Sequence, residues 1–203
     1  MTDGLGLRDV RLVVVGDAFA AGVGDPKGLG WVGRVVARTP QDQVDLTVHL
    51  LGLRDDSTSG VLARWRDETG RRLFPGADNR LVVAVGANDV GQGISLARTR
   101  LNLANVVDEA AADGLQPFVV GPPPWLAAAD NDRLRGVVEA ERDVCERRGV
   151  PFVDCFTPLL EHEQWFADLA SGDGMHPAQA GYGLLAWLVL HCGWSPWLGL
   201  DPA

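Results

Sequence analysis

Val13-Val14-Val15-Gly16-Asp17-Ala18-Phe19-Ala20-Ala21-Gly22-Val23-Gly24-Asp25 decides how this chain is read. Three valines run into Gly-Asp, and a glycine-rich segment follows. Valine favours a pleated, buried strand, whereas Gly and Asp suit the turn that ends one. The stretch reads as a strand breaking sharply into a loop, with Ala18 at the top of the turn.

Outward from it, similar runs recur. Arg11–Gly16, Val44–Leu51, Leu81–Gly86 and Pro117–Gly121 are rich in Val and Leu, and Val150–Val153 is a weaker fifth. They are mostly continuous in apolar character, as expected of strands covered on both faces. Segments of helical period lie between them. Ser95–Asp113 places Leu96, Leu103, Val106, Val107 and Ala110 near one face, with Arg98, Asn102, Asn105 and Asp108 on others. Asn131–Arg148 is a charged helix punctuated by Leu134, Val137, Val138 and Val144. Pro177–Cys192 opens with Pro at a first-turn position and carries Leu184, Leu185, Leu188 and Val189. This alternation predicts an α/β protein whose parallel sheet is wrapped on both sides. Its ligand crevice belongs at the carboxyl ends of the strands. No repeat, low-complexity tract or linker interrupts the pattern, so residues 1–203 read as one domain.

Of the 203 residues, 46% are hydrophobic and 22% charged, the balance of an ordinary globular protein. The net charge of -9 argues against nucleic acid as a partner, because tracking phosphates takes a basic face. No run approaches the ~18 apolar residues of a membrane span. The start shows no basic segment followed by an apolar run, so no secretory signal is expected and the default compartment is cytoplasmic. Cys145, Cys155 and Cys192 are odd in number and lack CxxC spacing, which favours buried free thiols over a disulfide framework or a zinc site.

The residues able to do chemistry gather at strand ends. Gly16-Asp17-Ala18 follows the first strand, Gly52 the second, and Gly86-Ala87-Asn88-Asp89 the third. Far downstream, Gly172-Asp173-Gly174-Met175-His176-Pro177 precedes the last helix. Asp173 and His176 are three apart, and a loop can fold the carboxylate back onto the imidazole. Such a pair makes a general base, the acid fixing the tautomer and stabilising the imidazolium. The Asn88 side chain and the amides of Ala18 and Gly52 supply three donors for an oxyanion hole. A hydroxyl at position 18 is the one part the set lacks.

These blocks resemble the SGNH, or GDSL-type, serine hydrolases (esterases and lipases). That family reads Gly-Asp-Ser, then a glycine, then Gly-x-Asn-Asp, then Asp-x-x-His-Pro; here they are Gly16-Asp17-Ala18, Gly52, Gly86-Ala87-Asn88-Asp89 and Asp173-Gly174-Met175-His176-Pro177. The resemblance implies a three-layer, flavodoxin-like α/β/α sandwich with a five-stranded parallel sheet. It also implies a carboxylic ester hydrolase working through an acyl-enzyme, a small-molecule ester or acyl substrate, and no cofactor. Carried over, it makes His176 the base, Asp173 its orienter, and Ala18, Gly52 and Asn88 the oxyanion donors.

Ala18 stands where the family has its serine nucleophile. The intact surroundings favour a deliberate serine-to-alanine change that silences the enzyme or traps a ligand; the alternative is a natural pseudoenzyme that binds an acyl or carbohydrate ester. An acyltransferase using the same site is a further alternative. Phe19, Val90, Trp125 and Met175 flank the catalytic positions and are candidates to line an acyl pocket.

Other readings are blander. His49 lies in an apolar strand as a packed residue, His162 sits between acidic residues on a solvated surface, and His191 ends a helix where it meets the last carbonyls. No spaced His/Cys/carboxylate cluster points to a metal. Gly22-Val23-Gly24 is an incomplete dinucleotide loop, since Lys27 holds the third glycine's place. Trp31, Trp65, Trp165, Trp187, Trp194 and Trp197 read as packing.

Overall fold

The computed structural model describes residues 6–200. Five parallel strands form its sheet: β1 (Arg8–Gly16), β2 (Val44–Gly52), β3 (Asp78–Ala84), β4 (Gln116–Val120) and β5 (Phe152–Val153), in the order β2-β1-β3-β4-β5. Among the described residues there are eight α-helices: α1 (Gly30–Val36), α2 (Thr58–Gly70), α3 (Ala87–Gly91), α4 (Leu96–Ala112), α5 (Ala128–Glu146), α6 (Glu163–Ala170), α7 (Gln179–Val189) and α8 (Ser195–Leu198).

Alternation along β1 builds the layers. Val10, Leu12 and Val14 face a core shared with Val32 and Val35 of α1 and Leu185 and Val189 of α7. Val13 and Val15 face the opposite core, with Val61 and Trp65 of α2, Leu103, Val106 and Val107 of α4, and Val144 of α5. Burial on both faces explains why β1 and β3 read as unbroken apolar runs. The strand order reverses at β1, which puts the crevice at the carboxyl end of β1 beside β3. The turn after β1 carries Ala18.

Several boundaries differ from the sequence reading. β1 begins at Arg8, whose guanidinium pairs with Asp78 at the start of β3 (2.9 Å). β3 runs Asp78–Ala84 and not to Gly86, because Gly86 adopts φ 122 and opens α3. Pro177 precedes α7 instead of opening it, and Ala178 is the N-cap. Beyond α7 the chain kinks within Leu190–Trp194, where Cys192 and Gly193 (φ 104) leave helical geometry before α8.

Asn102 was expected on an outer face of its helix, yet it is buried. Its amide donates to the hydroxyls of Thr58 (3.0 Å) and Ser59 (2.9 Å) on α2, so its polarity is satisfied inside. Trp31, Trp65, Trp165 and Trp194 are fully buried, whereas Trp187 is exposed and stacks on His191. The His191 Nδ1 lies 2.7 Å from the Trp187 carbonyl. His162 is half-buried at the start of α6, and its Nδ1 is enclosed rather than solvated. All three cysteines are free, and Cys192, unlike Cys145 and Cys155, is exposed. Among the described residues no helix is long and apolar enough to cross a membrane.

Candidate active site

The loop Gly172–Pro177 folds back on itself through Asp173. Its Oδ1 accepts the backbone N–H of Met175 (2.9 Å) and of His176 (2.8 Å), and its Oδ2 lies 2.7 Å from Nδ1 of His176. Burial works against the carboxylate's charge, but the ring and the two amides outweigh it and hold Asp173 down at about 2. It is therefore ionised across the physiological range and fixes the imidazole with Nε2 outward.

The same loop packs onto the turn after β1. The His176 and Phe19 rings lie 5.6 Å apart, tilted at 46°. Gly24 takes φ +90, and a Cβ there would lie 2.8 Å from the Pro177 carbonyl and 3.2 Å from the His176 Cβ. The glycine is what lets the two loops touch. Tyr182 of α7 donates its hydroxyl to the Val23 carbonyl (2.7 Å), and Val23 in turn donates its N–H to the Ala18 carbonyl (3.0 Å). One chain of contacts thus runs from the helix behind the histidine to position 18.

At the turn, Asp17 is buried and accepts the Phe19 N–H (2.9 Å). Burial raises it to about 7, although the backbone bonds pull the other way. The Ala18 N–H has no acceptor among the described residues, which leaves it free to donate.

Asn88 lies in the first turn of α3, and its Nδ2 donates to the Asp56 carbonyl (2.8 Å). Beneath it Asp89 is fully buried. It accepts the Thr58 N–H (2.9 Å), the Thr58 hydroxyl (2.7 Å) and the Thr99 hydroxyl (2.6 Å), fastening α3 to α2 and α4. Glu141 of α5 is enclosed against Gly86, and neither carboxylate oxygen has a hydrogen-bond partner. Burial pushes it well above the usual carboxylate range, and the nearby Asp89 and Asp17 push it further. Asp89 stood out only as the end of the Gly86-Ala87-Asn88-Asp89 block, and Glu141 did not stand out at all. An acid in a helix otherwise studded with charge gives no signal of burial.

Gly52 is not brought into this constellation. It is the last ladder residue of β2, and Leu53, not Gly52, donates to the Gly16 carbonyl (2.9 Å). Successive amides of a strand point to opposite sides, so the Gly52 N–H faces the open edge of the sheet, away from β1. The glycine is needed for room instead, since a Cβ there would lie 2.4 Å from the Ala21 nitrogen. Three residues on, Asp55 takes the left-handed φ 61 and its N–H has no acceptor among the described residues. The Asp55 carbonyl accepts Nε2 of Gln92 (2.7 Å), so this loop is tied to the end of α3.

The four pocket candidates separate. Trp125 and Met175 line one hollow of about 370 Å³ with Leu126, Ala127 and Asp173, directly beside the His176 loop. The Trp125 indole N–H there is enclosed without a partner. Val90 lines a different hollow of about 250 Å³ with Ile94, Leu96 and Arg133. Phe19 lines a small cavity of about 10 Å³ beside Asp17, room for about one water. Among the described residues no group of three His, Cys, Asp or Glu side chains is arranged to hold a metal ion.

Comparison with known proteins agrees with this fold. Esterase TesA of Pseudomonas aeruginosa is 29% identical over 175 residues, which is 83% of this chain and 80% of that relative. A crystal structure of TesA superposes with a TM-score of 0.74 at 25% identity, covering 92% of this chain and 98% of that one. At 20% identity, a lipolytic G-D-S-L family protein of Veillonella parvula shares the fold with a TM-score of 0.75 over 89% of this chain and 96% of its own. A catalytic mutant of Axe2, an acetylxylan esterase of Geobacillus stearothermophilus, does so at 18% identity, with a TM-score of 0.75 over 99% and 97%. The model of the GDSL-like lipase/acylhydrolase family matches residues 14–184, and the chain belongs to that family.

Proposed function

We propose that this fold carries a carboxylic ester hydrolase site that is complete when position 18 is serine, and that the Ala18 chain holds an ester without forming an acyl-enzyme. The observation that carries the reading is the 2.7 Å contact between Asp173 Oδ2 and His176 Nδ1, on a loop packed against the turn bearing Ala18. In the serine form the position-18 hydroxyl gives its proton to His176 Nε2 as its oxygen attacks the ester carbonyl. The oxyanion is met by the Ala18-position amide and the second N–H of Asn88. The free amide of Asp55 replaces that of Gly52 as the remaining donor. His176 then protonates the departing alcohol, and water, activated by the same imidazole, releases the acid.

The hollow beside Trp125, Leu126 and Met175 adjoins the dyad and is mainly apolar, which favours an ester with a short apolar acyl or alkoxy part. Ala18 itself favours binding over turnover as the activity of the chain as it stands, because alanine has no atom that can attack a carbonyl.

The test is Ala18→Ser assayed on short p-nitrophenyl esters and a wider panel of acyl esters. The expected result is turnover with a burst of p-nitrophenol, while the Ala18 chain binds the same esters with no burst. A serine form inactive across the panel ends the hydrolase reading.

A further inference from the structure

Arg64, on α2, binds two of the chain segments that carry the oxyanion donors and reaches the third, that of Asn88, through Asp56. Its Nη2 donates to the Gly16 carbonyl (3.0 Å) and to the Leu51 carbonyl (2.9 Å), at the carboxyl ends of β1 and β2. Its Nε donates to Asp56 Oδ2 (2.8 Å), and its Nη1 to Glu68 Oε2 one turn along (3.0 Å). The side chain is only 16% exposed, so these bonds lie largely out of water. A planar fork with donors on three nitrogens suits this task, whereas an ammonium offers a single point of charge.

Two of these bonds reach segments of the proposed site. Gly16 immediately precedes Asp17 and Ala18, so its carbonyl anchors the root of the first turn. Asp56 directly follows Asp55. The Asp56 carbonyl accepts one N–H of the Asn88 amide (2.8 Å), which fixes the amide plane and aims its other N–H in a single direction. The Asp56 carboxylate is itself seated with care. Its Oδ1 accepts the Ser57 N–H (3.0 Å) and lies 1.8 Å from where a Cβ on Gly60 would be. Asp56, just before α2, and Gly60 and Arg64 on it thus recur at intervals of four as acid, gap and base.

We infer that Arg64 is a positioning residue, which acts through Asp56 to hold the Asn88 amide, and through Gly16 to hold the Ala18 turn, in the geometry of an oxyanion hole. The inference rests on the hydrolase reading for its kinetic consequence but not for its structural one.

Two measurements test it separately. In the Ala18 chain, hydrogen exchange of the Asn88 side-chain amide, assigned by the loss of its signals in Asn88→Asp, is compared with Arg64→Lys and Arg64→Met. Exchange about tenfold faster or more in both variants is expected, with the protection of β1 and β3 unchanged. Unchanged exchange in Arg64→Lys overturns the proposal, and that variant decides it alone should Arg64→Met not fold. In the Ala18→Ser chain, Arg64→Lys is expected to lower kcat about 10- to 100-fold with KM within about twofold, the pattern of a contact made in the transition state. The loss should shrink, to the part carried through Gly16, when Asn88→Ala is already present. An undiminished loss on that background overturns action through Asn88. A serine form with no esterase activity sinks the hydrolase reading, while the exchange experiment still decides the role of Arg64.

Discussion

Asp173 meets His176 twice, once through the backbone N–H at 2.8 Å and once through the imidazole Nδ1 at 2.7 Å. The carboxylate both shapes the loop and sets the tautomer. These roles come apart in Asp173→Asn, whose remaining oxygen can still accept the backbone amides. In the Ala18→Ser chain we expect Asp173→Asn to lower kcat by about 10³–10⁴-fold, because an imidazole in the wrong tautomer cannot take the hydroxyl proton. Unfolding by urea should move little. Stopped-flow ester hydrolysis and a denaturation curve check the two halves.

Gly24 is where the histidine loop leans on the nucleophile loop. A methyl group there meets the Pro177 carbonyl and the His176 Cβ, and φ +90 is unfavourable for any other residue. Gly24→Ala should cost about 1–3 kcal/mol of stability. In the serine form it should also depress kcat, by pushing the imidazole away from position 18. Chemical denaturation together with kcat on one p-nitrophenyl ester reads both effects.

Glu141 is a burden on the fold. Its raised folded-state value means that the native protein keeps a proton the unfolded chain releases. Stability therefore falls as pH rises above the unfolded value of about 4.5, up to the folded one. Glu141→Met, similar in length and without polar oxygens, should stabilise the protein by about 1–3 kcal/mol at pH 8, and by less at pH 5. Urea midpoints at the two pH values measure the difference. An equal gain at both would show that the carboxyl is not the cause.

Asp89 presents the opposite case, a buried carboxylate accepting three strong hydrogen bonds. Asp89→Asn turns an amide N–H toward groups that already donate. A loss of about 1–3 kcal/mol is expected, the cost of a buried donor left without an acceptor. Calorimetric Tm is the measure. Because Asp89 fastens α3, the Asn88 amide should loosen in the same variant.

The parts legible in the sequence were those set by period and by turn chemistry. β1 and β3 announced themselves because burial on both faces demands unbroken apolar runs. α4 was marked by its apolar spacing, and the Asp173–His176 pair by its separation of three. Other elements gave weaker signals. α1 is only seven residues long and begins in a glycine-rich loop. α2 mixes Arg, Asp and Glu so thoroughly that its buried stripe is thin. The Gly52 assignment failed for a local reason. A glycine after a strand can be there to turn, to donate or simply to make room, and only the ladder register shows that this one makes room for Ala21. Asp55 escaped notice because it adopts a glycine's conformation without being glycine. Arg64 escaped because Asp56 and Glu68 at spacings of eight and four read as ordinary ion pairs of a helix, whereas its bonds to the Gly16 and Leu51 carbonyls are encoded by no spacing.

The turn at position 18 is fastened entirely through its backbone and its neighbours, by Val23 N–H on the Ala18 carbonyl and Phe19 N–H on Asp17. No bond passes through the side chain of residue 18. Alanine and serine differ there by one oxygen, and their codons by a single base. A lineage carrying this scaffold can switch between a silent and a working form in one mutational step, without crossing a misfolded intermediate.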